Sequence, residues 1–200
     1  MPTRFSRANL LRRGLVGGGA IVASGSLGSA VGSAAALAAP DGDLAAVRML
    51  IGAELLAIDF QQQALASGKL GARSATTLKR MHADEQAHYQ GLANLMLQSG
   101  QAPATADDVN FAYPKGTFAR ESAILKLAAE LEALQLGAYT GANASVQTPE
   151  VRMAIGQISA NESQHVAALA ALAGKPIIGK PFGPALHADA VTAALDTYES

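Results

Sequence analysis

Apolar residues along the chain recur at the 3.6-residue period of amphipathic helices rather than the two-residue period of strands. Four stretches carry that period, separated by Gly, Pro and small polar residues. The first is predicted over about 43–68, with Asp43 as its N-cap and the segment from Gly68 to Gly71 as its stop. The second covers about 75–99, capped by Ser74 and ended near Gly100. From Gln101 to about Arg120 no period is sustained, and Pro103, Pro114 and Gly116 interrupt it. That length exceeds a turn and suits a crossover along a helical bundle. The third helix covers about 119–141. The fourth covers 149–173, with Thr148 as cap, Pro149 at its first position and Gly174 at its end. A Pro/Gly-rich connector to Pro184 then leads to a short helix over about His187 to Tyr198.

The pattern also repeats. Leu78, Met81, Glu85, His88, Leu92 and Leu95 form one stripe of the second helix. A shift of 77 residues lands on Ile155, Ile158, Glu162, His165, Leu169 and Leu172 of the fourth. Apolar matches apolar, Glu matches Glu and His matches His. The alternating steps of three and four are those of a seam facing a bundle interior. Both Glu-x-x-His pairs are therefore aimed at the core.

A single Glu-x-x-His is a weak signal, because helix surfaces carry it by chance. Two in register on the inward seam are a stronger one. Residues three apart share a helix face, so each Glu and His converge on one ion. Carboxylates flanked by Met81 and Leu92, or by Ile158 and Leu169, are costly to bury without positive charge. The other two helices are expected to supply bridging or terminal carboxylates, with Glu85, Glu162 and the histidines terminal. Glu54 stands amid Val47, Leu50, Ile51, Ala57, Ile58 and Leu65. On the third helix Glu130 and Glu132 compete. A shift of 78 maps Glu54 onto Glu132 and keeps the neighbours apolar, whereas 76 sends Leu50 to Lys126. Glu132 is thus the expected ligand, and Glu130, the less favoured one, pairs with Lys126 on a solvated face.

The predicted metal ligands are Glu54, Glu85, His88, Glu132, Glu162 and His165, with no catalytic residue beyond them. Four carboxylates balance two divalent ions, a neutrality that lets them survive inside a bundle. Oxygen-rich ligation with one imidazole per ion favours two iron ions, or manganese, over structural zinc. Tyr139, seven residues after Glu132 on the same face, is a candidate hydrogen-bond partner behind a ligand, and Gln61 is its counterpart in the repeat. His82, Asp84 and His187 read as ordinary exposed or edge residues, and Tyr89 as packing.

Composition adds limits. Among 200 residues half are apolar, 4% are aromatic and Trp is absent, so the core is built of aliphatic side chains. The absence of Cys excludes disulfides, thiolate metal sites and a thiol nucleophile. Four arginines and no acid occupy residues 1–40, leaving 11 basic against 16 acidic residues beyond them, a net −5. That balance argues against nucleic acid and anionic membrane surfaces as partners. Residues 1–39 have the order of an export signal: a basic start, a weakly apolar stretch, then Ala36-Leu37-Ala38. Arg12-Arg13 before Gly14-Leu15-Val16 gives it a twin-arginine character, although Leu11 stands where Ser or Thr is usual. Cleavage near Ala38/Ala39 would leave a periplasmic or extracellular protein with no stable membrane anchor. Residues 40–174 form the bundle, and 175–200 the connector and short helix.

With these residues in hand, the chain resembles the bacterial ferritin-like domain proteins, a group that includes desiccation-related proteins. The resemblance rests on Ala53-Glu54-Leu55, Asp84-Glu85-Gln86-Ala87-His88, the run from Leu127 to Glu132 with Gly137-Ala138-Tyr139, and Asn161-Glu162-Ser163-Gln164-His165. It covers roughly 43–174 and implies an all-α, ferritin-like four-helix bundle with a dinuclear iron or manganese centre at these six positions. Ala57 and Gln61 stand where many relatives carry Glu or Tyr, and the lack of Cys excludes an attached rubredoxin-type module. The expected function is iron, oxygen or peroxide redox chemistry in stress protection, of ferroxidase or peroxidase type. The expected partners are metal ions, small oxidants and a second copy of the bundle. The alternative is a non-catalytic stress-related bundle with structural metal or none.

Overall fold

The computed structural model describes residues 37–200. The predicted export segment thus lies outside the described residues except for its last three positions. Four long helices, α1 (Asp41–Ala66), α2 (Ala72–Gln98), α3 (Glu121–Ser145) and α4 (Pro149–Leu172), precede a short α5 (Ala188–Leu195). Two single 3₁₀ turns, Ala106–Asp108 and Thr117–Ala119, punctuate the crossover between α2 and α3. No strand occurs among the described residues beyond an isolated bridge between Phe111 and Glu199.

Hydrogen bonds at the helix ends fix the topology. The Gly71 N–H donates to Glu121, so α3 begins beside the start of α2 and the crossover runs back along the bundle. At the opposite end, the Gln147 and Thr148 N–H groups donate to Asp43, placing the α3–α4 turn at the start of α1. Helices α1 and α2 pack as one antiparallel pair and α3 and α4 as the other, with α1 also against α3. The crossover is held along its length. Tyr89 donates to the Ala104 carbonyl and Tyr113 to Asp59, while Tyr113 and Phe118 pack against buried Phe60.

The predicted caps need correcting. Helix α1 starts two residues before Asp43, whose carboxylate accepts from the distant α3–α4 turn instead of its own first turn. Helix α2 starts at Ala72, so Ser74 is a buried helical residue, and the Thr76 and Thr77 hydroxyls return to carbonyls one turn earlier. Helix α3 continues past Gly141 to Ser145, and the segment before α5 crosses it at that glycine. Thr148 and Pro149 open α4 as expected, although Thr148 makes no side-chain cap bond.

Both predicted stripes are inward: Leu78, Met81, Leu92, Leu95, Ile155, Ile158 and Leu169 are buried, and only Leu172 is half-exposed. Each such aliphatic side chain removed from water stabilises the fold by about 1.5–3 kcal/mol. No helix among the described residues is long and apolar enough to cross a membrane.

Candidate metal centre

The bundle interior is apolar at both ends and acidic in the middle. Glu54 of α1, Glu85 of α2 and Glu162 of α4 are fully buried, and Glu132 of α3, His88 and His165 nearly so. All six predicted residues meet at one level of the bundle, one Glu from each helix with a His added from α2 and from α4. Glu130 does not join them; its exposed side chain lies 3.7 Å from Lys126 Nζ.

The ligand atoms form two overlapping groups. One contains Glu54, Glu85, His88 and Glu162, the other Glu85, Glu132, Glu162 and His165, with the donor atoms of each group within 4.8 Å of one another. Glu85 and Glu162 belong to both groups, while Glu54 and Glu132 belong to one each. The expectation that Glu54 and Glu132 are bridging or terminal ligands is met here only by their place, one in each group. Glu85 and Glu162 are shared because each lies within 3.6 Å of both imidazoles, whose ring centres are 6.0 Å apart.

Each imidazole turns Nδ1 inward. His88 Nδ1 lies 3.0 Å from Glu162, 3.2 Å from Glu85 and 3.8 Å from Glu54. His165 Nδ1 lies 3.2 Å from both Glu85 and Glu132 and 3.6 Å from Glu162. One nitrogen cannot donate to three carboxylates. Both Glu162 oxygens are buried without a hydrogen bond of proper geometry, despite the nearby imidazoles. Such a donor-poor cluster of oxygens and imidazole nitrogens suits divalent cations, and the residues present fit a metal centre.

The charges follow from the crowding. Burial raises Glu54 and Glu132 well above the ordinary carboxylate range, and the Glu85 charge adds to it. Glu85 is lowered: burial opposes ionisation, but hydrogen bonds to His165, His88 and Glu54 outweigh it. Burial disfavours a charged His88, yet its contacts with Glu162, Glu54 and Glu85 raise it to about 12. His165 is raised in the same way by Glu132, Glu162 and Glu85 against the effect of burial.

A ring of neutral donors surrounds the carboxylates. The Tyr139 hydroxyl donates to Glu54, and Gln135 Nε2 lies 3.5 Å from the other Glu54 oxygen. Gln61 Nε2 donates to Glu132 at 3.0 Å and to Glu85 at 3.3 Å. Asp84, read from sequence as an ordinary edge residue, lies 3.3 Å from His165 Nε2, outside the cluster. Gln135 was legible as a polar residue three after Glu132, the same step as in Glu-x-x-His. Asp84 left one trace, a mismatch with Asn161 in the 77-residue repeat.

The ferritin-like domain family model matches residues 42–175. Among solved structures, a hypothetical protein from Methanococcus jannaschii is similar with a TM-score of 0.57 at 13% identity, covering 86% of this chain and 98% of that one. At that identity the likeness concerns the fold alone. No curated protein matches the sequence.

Proposed function

We propose that this chain, which belongs to the ferritin-like domain family, is an exported protein that holds two iron or manganese ions and reacts with oxygen or peroxide in stress protection. The observation that supports it best is the pair of four-residue ligand groups sharing Glu85 and Glu162. Bound there, iron or manganese would supply one-electron redox chemistry between its divalent and trivalent states.

The chain's own part is positioning and charge. Glu85 and Glu162 set the separation of the two positions, and Glu54 with His88, and Glu132 with His165, close them on either side. Four ionised glutamates and two neutral imidazoles balance two divalent ions. Tyr139, Gln135 and Gln61 hold the outer carboxylates by hydrogen bonds, so the ligands are set before an ion arrives. Above and below, Met81, Leu92, Ile158 and Leu169 are buried and keep bulk water from the carboxylates. A groove of about 720 Å³ between α2 and α4, lined by Arg80, Asp84, Gln164 and His165, offers small solutes an approach. The export reading rests on the basic, apolar and small-residue order of positions 1–39, and folding around metal before transport fits a twin-arginine route.

Metal analysis and peroxide consumption test the proposal on protein recovered with its native metal. About two iron or manganese ions per chain are expected, with activity lost when Glu85→Ala is combined with Glu162→Ala. Protein without either metal, or activity indifferent to that double substitution, overturns it. A fold that requires metal yet shows no turnover points to the non-catalytic bundle instead.

A further inference from the structure

The two halves of the centre match ligand for ligand but differ in the residues behind the ligands, the histidines included. His165 presents Nδ1 to Glu85 and Glu132 at 3.2 Å, and its far nitrogen Nε2 lies 3.3 Å from Asp84 Oδ2 across the seam between α2 and α4. The repeat relates Asp84 to Asn161, the residue placed to do the same for His88. Asn161 is uncharged, and among the described residues neither it nor any other side chain hydrogen bonds His88 Nε2.

The difference has a chemical consequence. An imidazole that ligates through Nδ1 must carry its proton on Nε2. A carboxylate accepting that proton fixes the tautomer, locks the ring's rotation and makes Nδ1 a better electron donor. His165 has that support. Among the described residues no carboxylate stands behind His88 Nε2, so that ring is set by its Nδ1 contacts alone. The remaining asymmetry does not offset this, because each outer carboxylate has a neutral donor of its own: Tyr139 and Gln135 for Glu54, Gln61 for Glu132.

Resting on the two-metal reading above, we propose that the two positions are unequal, and that the one formed by Glu85, Glu132, Glu162 and His165 fills first because Asp84 positions His165. Asp84 is a positioning residue; it touches the imidazole and not the ion. Its side chain is 39% exposed in the groove, so replacing it with Asn leaves the packed core untouched.

Anaerobic titration of the full chain with cobalt(II), followed by visible absorption and calorimetry, tests this. Wild type is expected to bind in two steps. Asp84→Asn weakens the tighter step by about 10- to 100-fold, the range for loss of such an outer partner. Asp84→Glu retains the two steps, and Asn161→Asp tightens the weaker one. The melting temperature of the chelated protein should not move with Asp84→Asn, which separates positioning of the imidazole from a structural role. Two ions bound in a single step by wild type overturn the inequality, and two unchanged steps in Asp84→Asn overturn Asp84 as its cause; either result leaves the two-metal reading standing. No stoichiometric binding, or binding of one ion only, overturns both.

Discussion

Gln61 and Tyr139 stand 78 residues apart at related places on α1 and α3, and each serves the other helix's glutamate. Gln61 donates to Glu132, and Tyr139 donates to Glu54. The glutamates and histidines of the centre were legible in the sequence because a charged or titratable residue on an apolar seam is conspicuous. The amides left a weaker trace, since one neutral side chain in a seam needs only one or two partners to be tolerated. Asp84 was hidden for another reason: its partner His165 is 81 positions away on another helix, so no local pattern contains the pair. The Tyr139 bond supports a prediction. Tyr139→Phe leaves the aromatic packing intact but removes a buried donor from Glu54, at a cost of about 1–3 kcal/mol in chelated protein. With metal bound the ion also holds Glu54 in place, so the loss should shrink. Urea denaturation with and without chelator measures both, and an equal loss in the two states would show that metal takes no part in holding Glu54.

Helix identity followed from the apolar period, while helix ends did not, because the groups that settle the ends come from far along the chain. Asp43 is the case in point: it looks like a local cap, yet it accepts N–H groups 104 and 105 residues away. Gly137 and Gly141 illustrate the same limit on α3. From sequence, Gly141 reads as the end of the helix. In the fold both glycines form a notch where the segment before α5 crosses: the Leu186 N–H donates to the Gly137 carbonyl at 2.9 Å. A Cβ on residue 141 would lie 1.9 Å from the Leu186 carbonyl oxygen, closer than atoms can approach. The clash is with backbone and no side-chain rotation relieves it. Gly141→Ala is therefore expected to lift this segment and α5, uncovering Val191 and Leu195, and to cost about 1–3 kcal/mol. Amide hydrogen exchange over residues 186–198 should speed up, with α2 and α4 left protected. Unchanged exchange in that segment would rule the notch out as its anchor.

At the scale of the whole molecule, the centre ties four helices together through charge, and protons and metal ions compete to neutralise it. His88 is raised from the ordinary 6.5 to about 12, so its contribution to stability is complete below 6.5 and is lost as pH climbs towards 12. Glu54 and Glu132, raised above 4.5, add stability in their neutral forms that likewise drains as pH rises. Glu85 is lowered, so its contribution is complete above 4.5 and stays constant over the alkaline side. Metal-free protein is thus expected to lose stability steadily above about pH 6.5. Metal binding runs the opposite way. It needs neutral imidazoles and ionised glutamates, so each ion expels protons and affinity rises with pH. A hundredfold excess of ligand over its dissociation constant adds about 2.7 kcal/mol per site, and the excess grows as the constant falls. The melting temperatures of chelated and manganese-loaded protein should therefore diverge between about pH 6.5 and pH 9, the chelated curve falling faster. Scanning calorimetry at several pH values, with chelator or with manganese(II), measures the gap. Parallel curves would mean that the protons on this cluster are not the ones metal displaces, and that the ions bind elsewhere on the molecule.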